Sequence, residues 1–262
     1  MNARGISVLL ELMVLGLVVL GLGSAARAQG PSDPMAERLS AEKVSDVAAG
    51  SYSADDNINF TLASYGDKYL LRFDGSPEAF VLYSDRIALG GRELKYDTGA
   101  IALKISVWGG ITLYTQDAPG GMPATRTGDA VIPARLMVPA ASLNAALADE
   151  ETHLAYTQHL KLHFSADAGV VSGGDDTRVY AFDTLVISEM GIERVIGTQG
   201  GRGAFTSRFD QVRIVEGDKP TIAISGRTLL VSFVPSAGVA GRASSRAIAY
   251  SLGKMLSLQE PS

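Results

Sequence analysis

Ile101-Ala-Leu-Lys-Ile-Ser-Val107, followed across Trp108-Gly109-Gly110 by Ile111-Thr-Leu-Tyr-Thr115, carries the cleanest alternation of apolar and polar residues in the chain. Ile101, Leu103, Ile105 and Val107 fall on one side of an extended backbone, and Ile111, Leu113 and Thr115 repeat the period after the glycine pair. A period of two over seven residues marks a strand with one face buried, and two such runs joined by glycines mark a hairpin.

Working back towards the N-terminus, the same signature recurs. Ile58, Phe60 and Leu62 alternate up to a turn at Tyr65-Gly66-Asp67, and Tyr69, Leu71 and Phe73 run on to Asp74-Gly75-Ser76-Pro77. Ala79 to Tyr83 is a more continuously apolar strand, and Leu94 and Tyr96 form a short one before Asp97-Thr98-Gly99. Six strand-like runs punctuated by Gly, Asp and Pro predict an antiparallel meander that curls into a small barrel or sandwich.

Working forward, the pattern breaks. Pro119, Gly120, Gly121, Pro123, Gly128, Pro133 and Pro139 crowd into residues 116–139, which reads as a linker. Ala140 to Tyr156 has helical, alanine-rich composition, with Ser142 as a candidate cap and Asp149-Glu150-Glu151 set against the C-terminal dipole. His159 to Phe164 alternates as a strand. Residues 177–196 place Phe182, Leu185, Val186, Glu189, Ile192 and Ile196 at helical spacing, so one charge stands inside an apolar stripe. Val212 and Ile214, Ile222 and Ile224, and Leu229, Val231 and Phe233 read as strands around turns at Gly217–Pro220 and Ser225–Arg227. Ser245 to Ser257 is an amphipathic helix with Ile248, Leu252, Met255 and Leu256 on one face. The expected class is α+β: an N-terminal antiparallel β meander (small barrel or sandwich), then a mixed half with about three helices and a short antiparallel sheet.

The first 28 residues follow the three-part plan of a secretory signal peptide: Arg4, an apolar core from Leu12 to Leu22, and Ala26-Arg27-Ala28 as the cleavage site. The expected organisation is thus 1–28 signal peptide, 29–56 lead-in with one short helix, 57–115 β-rich half, 116–139 Pro/Gly-rich linker and 140–262 mixed α/β half. Cleavage after Ala28 leaves 21 basic and 27 acidic side chains, a net charge of −6 that argues against a nucleic-acid surface. Membrane contact is expected only through the uncleaved signal. With no cysteine in the chain there are no disulfides and no thiolate metal sites, and folding rests on the core.

Motifs that would carry chemistry are thin. His153, His159 and His163 are the only histidines, and His159 and His163 have the i, i+4 spacing of a zinc pair. Leu160-Lys161-Leu162 between them supplies no general base and puts a cation where a metal would sit, so a polar strand face is the preferred reading. Ser251-Leu-Gly-Lys254 matches Ser-x-x-Lys but stands in a last helical turn without a companion motif. Gly200-Gly201-Arg202-Gly203 lacks the spacing of a dinucleotide loop, and Asp55-Asp56 and Asp175-Asp176 lack an EF-hand pattern. No cofactor and no catalytic residue is expected. Trp108, the single tryptophan, is either a core plug or an exposed contact at a hairpin end.

Leu70-Leu71-Arg72-Phe73-Asp74, Tyr96-Asp97-Thr98-Gly99, Gly109-Gly110-Ile-Thr-Leu-Tyr114-Thr115, Pro119-Gly-Gly-Met-Pro123-Ala124 and Gly241-Arg-Ala-Ser-Ser245 resemble a family of exported alphaproteobacterial proteins known as a domain of unknown function. The likeness spans residues 57–257 and rests on turn and strand phrases. It implies an envelope setting and no particular activity. The expectation is a periplasmic or secreted, non-enzymatic module that binds an envelope protein or small ligand, or serves as a structural subunit through its terminal helix or Trp108. The alternative is an envelope hydrolase, metal-assisted through His159 and His163.

Overall fold

Alternating side chains put half of each early strand into one shared interior, and the strands close around it. The computed structural model describes residues 47–55, 58–130 and 136–258. Residues 1–28, expected to be a signal peptide, and most of the expected lead-in, with the short helix read there, lie outside the described residues. Eight strands pair antiparallel in chain order: β1 (Gly50–Ala54), β2 (Ile58–Tyr65), β3 (Lys68–Phe73), β4 (Ala79–Arg86), β5 (Arg92–Lys95), β6 (Ile101–Ile105), β7 (Ile111–Leu113) and β8 (Met122–Gly128). β8 also pairs with β1, Tyr52 opposite Arg126 and Ala54 opposite Ala124, which closes the barrel.

The two strands that the six sequence runs omit are the closing pair. β1 ends the stretch read as lead-in, and β8 lies inside the stretch read as linker. β8 (Met-Pro-Ala-Thr-Arg-Thr-Gly) buries none of its residues fully, so it shows no hydrophobic period, and Pro123 reads as a breaker. It is a strand because both neighbours offer it a ladder, a long-range effect that local pattern does not encode.

The barrel interior is filled by side chains, as expected at this strand number. Tyr52, Phe60, Leu62, Leu71, Phe80, Leu82, Leu94, Leu103, Ile105 and Leu113 are buried together. An aromatic chain runs through the interior, with Tyr52 stacked on Phe60 (centroids 5.4 Å apart) and Phe80 edge-on to Tyr96 (5.2 Å). Burying one such ring contributes roughly 1.5–3 kcal/mol.

The second half has its own core. Helix α1 (Ala140–Thr157) buries Leu143, Leu147 and Leu154; it starts directly after Pro139, so Ser142 lies inside it rather than capping it. It ends at Thr157, one residue past the expected Tyr156, shortly after the acidic residues 149–151. Strand β9 (His163–Ala166) is shorter than the expected His159–Phe164 run, because His159 takes a positive φ of 48° that breaks the extended backbone. Leu160, Leu162 and Phe164 nonetheless all point inward. There follow α2 (Ala168–Val171), α3 (Asp175–Ile196), α4 (Gly201–Arg208), β10 (Gln211–Glu216), β11 (Thr221–Ser225), β12 (Thr228–Phe233) and α5 (Ser245–Met255).

The three long helices are those expected. The four-stranded sheet, in the order β11-β12-β10-β9, is mixed rather than antiparallel throughout. β9 and β12 both run parallel to β10, and only the β11–β12 hairpin is antiparallel. The helices between β9 and β10 form the crossover that a parallel pair requires. Phe164, Val212, Ile214, Leu229, Val231 and Phe233 pack from this sheet against Leu185, Ile192, Ile248 and Leu252 of the helices.

Candidate functional site

The barrel and the α/β half are joined by charge. Gly241-Arg-Ala-Ser-Ser245 enters α5, with Ser244 as its N-cap accepting from the Ala247 N–H at 3.1 Å. The first N–H groups of a helix lack internal partners and attract negative charge. Here two barrel carboxylates take that role. Glu78 accepts from the Ser245 N–H and hydroxyl at 2.7 and 2.6 Å, and Asp97 accepts from the Ser244 N–H and hydroxyl at 2.8 and 2.6 Å. Arg242, buried, donates to Asp183 of α3 and, at 3.0 Å, to the Ala79 carbonyl of β4. Burial raises the Glu78 carboxyl above its usual range, with the Ser245 bonds and then Arg242 and Arg194 pulling the other way.

Beside this junction lies a groove of about 730 Å³ between the barrel end and helices α3 and α5. That size suits a small-molecule ligand. Ile101, Tyr114, Val195, Ala249 and Leu258 supply apolar wall, and Arg194, Arg246 and Lys254 supply positive charge. Among the described residues no carboxylate lines it, although the chain as a whole carries −5. Arg194 Nε donates to Ser245 Oγ at 3.1 Å, and Arg246 lies 4.4 Å above the Tyr96 ring. Lys254, from the Ser-x-x-Lys match, stacks 4.4 Å over Tyr250. The groove can hold a molecule with an apolar body and an anionic head.

A second cluster sits between α1 and α3. His153, Glu189 and Glu193 bring ligand-type atoms within 4.8 Å of one another, and Asp149 and Glu150 rim the cavity of about 300 Å³ over them. Burial, followed by the Glu193 and Glu150 carboxylates, pushes Glu189 up to about 8. The histidines singled out by spacing lie elsewhere. His163 Nδ1 is 2.5 Å from Glu151 Oε1, which also accepts from the Phe164 N–H at 2.9 Å. His159 occupies the left-handed turn before the strand. Among the described residues neither belongs to a three-ligand group.

Trp108 is 92% exposed on the β6–β7 hairpin, so the core-plug reading does not apply. Leu89, similarly exposed, is on the neighbouring β4–β5 loop, where Gly90 approaches Val107. Sequence reasoning missed Glu78, Asp97, Arg242 and the groove cations as site residues. Two of the phrases quoted for their family likeness, Tyr96–Gly99 and Gly241–Ser245, turn out to be the two sides of the Asp97–Ser244 contact.

Fold and site together define an α+β protein in which a closed, filled barrel is clamped to a helical layer beside a cationic groove. The chain belongs to the family described as a domain of unknown function (DUF4908), whose pattern matches residues 33–252. No curated protein and no solved structure matches it. No described helix is long and apolar enough to cross a membrane.

Proposed function

We propose that this protein is an exported, non-enzymatic binding module of the cell envelope that holds an amphipathic organic anion, a carboxylate or phosphate head on an apolar body. The observation that carries the reading is the groove: Arg194 and Arg246, with Lys254 nearby, set in an apolar wall on which no carboxylate stands among the described residues. Grouped like charges repel one another and persist at low cost where an anion sits among them. Export rests on the signal-like residues 1–28.

The test is calorimetric titration of the purified protein with palmitate and, in parallel, with the uncharged alcohol of the same chain length. One equivalent of palmitate should bind, with the alcohol and the R246Q and K254Q variants each weaker by at least about tenfold, or ~1.4 kcal/mol. Equal binding of acid and alcohol, or no binding of either, would remove the reading. N-terminal sequencing of native material should begin at Gln29; a start at Met1 would remove the export half and leave the groove half standing.

Trp108 and Leu89, exposed on adjacent loop tips, favour a second reading in which the barrel end contacts an envelope protein. W108A should then abolish co-purification of that protein from the native envelope while palmitate binding is unchanged. Co-purification that survives W108A sinks this reading.

A further inference from the structure

Glu189 stands where an amphipathic helix calls for an apolar residue. It follows Leu185 by one turn and precedes Ile192, both of them fully buried, and is itself only 7% exposed. Its Oε1 has no hydrogen-bond partner. An unpaired buried carboxylate oxygen costs free energy that folding must offset elsewhere, so such groups call for a ligand or a function.

What surrounds this oxygen is a set of donors rather than a counter-ion. Across the helix interface, His153 of α1 turns its Nε2 to 3.6 Å from Glu189 Oε1. One turn along α3, Glu193 adds a second carboxylate, held in place by Gln158 Nε2 at 3.0 Å. Glu150, three residues before His153 and so on the same helix face, rims the same cavity. Among the described residues no lysine or arginine forms a salt bridge with Glu150, Glu189 or Glu193.

We propose that His153, Glu189 and Glu193 bind a divalent zinc-class metal ion between α1 and α3, with Glu150 as the outer carboxylate. One imidazole and two or three carboxylates form the mixed N/O donor set that zinc and its neighbours accept. Metal–ligand bonds of about 2.0–2.1 Å in a tetrahedral array leave ligand atoms roughly 3.3 Å apart. The His153–Glu189 separation of 3.6 Å is already near that value, and the three side chains need only small rotations to meet it. The Gln158 amide is the supporting contact that orients a ligand carboxylate in such sites. The site is separate from the groove, so it stands whether or not an amphipathic anion binds there.

The test uses purified protein stripped with EDTA and titrated with zinc chloride by calorimetry, with melting curves taken before and after. One equivalent of zinc should bind and raise the melting temperature. H153A and E189Q should each weaken binding by at least about tenfold, while H163A should bind as the parent does. H153A, changed at a half-exposed position, guards against a folding artefact. Absence of zinc uptake, uptake undiminished in both variants, or uptake lost in H163A would overturn the proposal.

Discussion

Ser245, the first residue of α5, gives both its backbone N–H and its hydroxyl to Glu78, a fully buried carboxylate that precedes it by 167 residues, at 2.7 and 2.6 Å. The pair fastens the terminal helix to the barrel through the positive end of the helix dipole. E78A leaves both Ser245 donors without their acceptor and removes the carboxylate facing Arg242 and Arg194, and should cost about 3 kcal/mol or more in urea unfolding. S245A retains the backbone bond and should cost about half as much. An E78A loss below roughly 0.5 kcal/mol would mean that apolar packing alone holds the two halves together.

Gly191 sets how closely α3 and α5 approach. A Cβ there would stand 2.6 Å from Ile248 Cγ2 and 3.1 Å from the Ser245 carbonyl oxygen. G191A should therefore destabilise by about 1–3 kcal/mol through overpacking. I248A removes the opposing branch, and the double variant should lose less than the sum of the two single losses. Strict additivity in thermal unfolding would show that the helices relax apart freely.

In metal-free protein the pH dependence of stability should slope downward. Glu189 ordinarily titrates at 4.5 and is pushed up to about 8 in the fold, first by burial and then by Glu193 on its own helix and Glu150 on α1; His153 is the other titratable group facing it. Between those values the folded state keeps a proton that the unfolded chain has released. The stabilisation is full below the unfolded pKa and is lost as pH rises through the folded one, by up to a few kcal/mol. Glu78 and Glu150 are shifted in the same direction. Melting temperatures should fall between about pH 5 and pH 8, and E189Q should flatten the curve. A rising curve, or one that E189Q leaves unchanged, would contradict the burial of that carboxyl.

The single tryptophan provides a direct check on the barrel end. Trp108 should emit like fully hydrated indole and be quenched by acrylamide as readily as the free amino acid, because its ring stands in solvent. Palmitate binding in the groove should leave that emission unshifted, since Trp108 does not line it. Blue-shifted, protected emission in the isolated protein would mean that the hairpin folds against something.

Local pattern made much of the barrel readable. β2, β3, β6 and β7 bury their larger apolar side chains on one side, so the alternation appears directly in Phe60 and Leu62, Leu71, Leu103 and Ile105, and Leu113, with Ala102 buried on the opposite face of β6. The long helices were readable for the same reason, and Glu189 showed itself as the one charge in the α3 stripe. Nothing local placed His153 beside it, because the contact depends on how α1 packs against α3. The spacing of His159 and His163 carried no such information once a left-handed turn separated the first from the strand.

The sequence by itself determined the apolar faces of β2 to β7, where the long helices run and where those hairpins turn, since these follow from side-chain period and backbone sterics within a few residues; the burial of Glu78, Arg242 and Tyr52 was not among them. Tertiary structure alone decided that β8 closes on β1, that β9 lies parallel to β10, and that Glu78 and Asp97 cap a helix far along the chain. Those outcomes depend on orphan backbone and carboxylate groups finding partners across long loops. Residues distant in the chain are chosen for that role by the geometry with which the two separate cores meet.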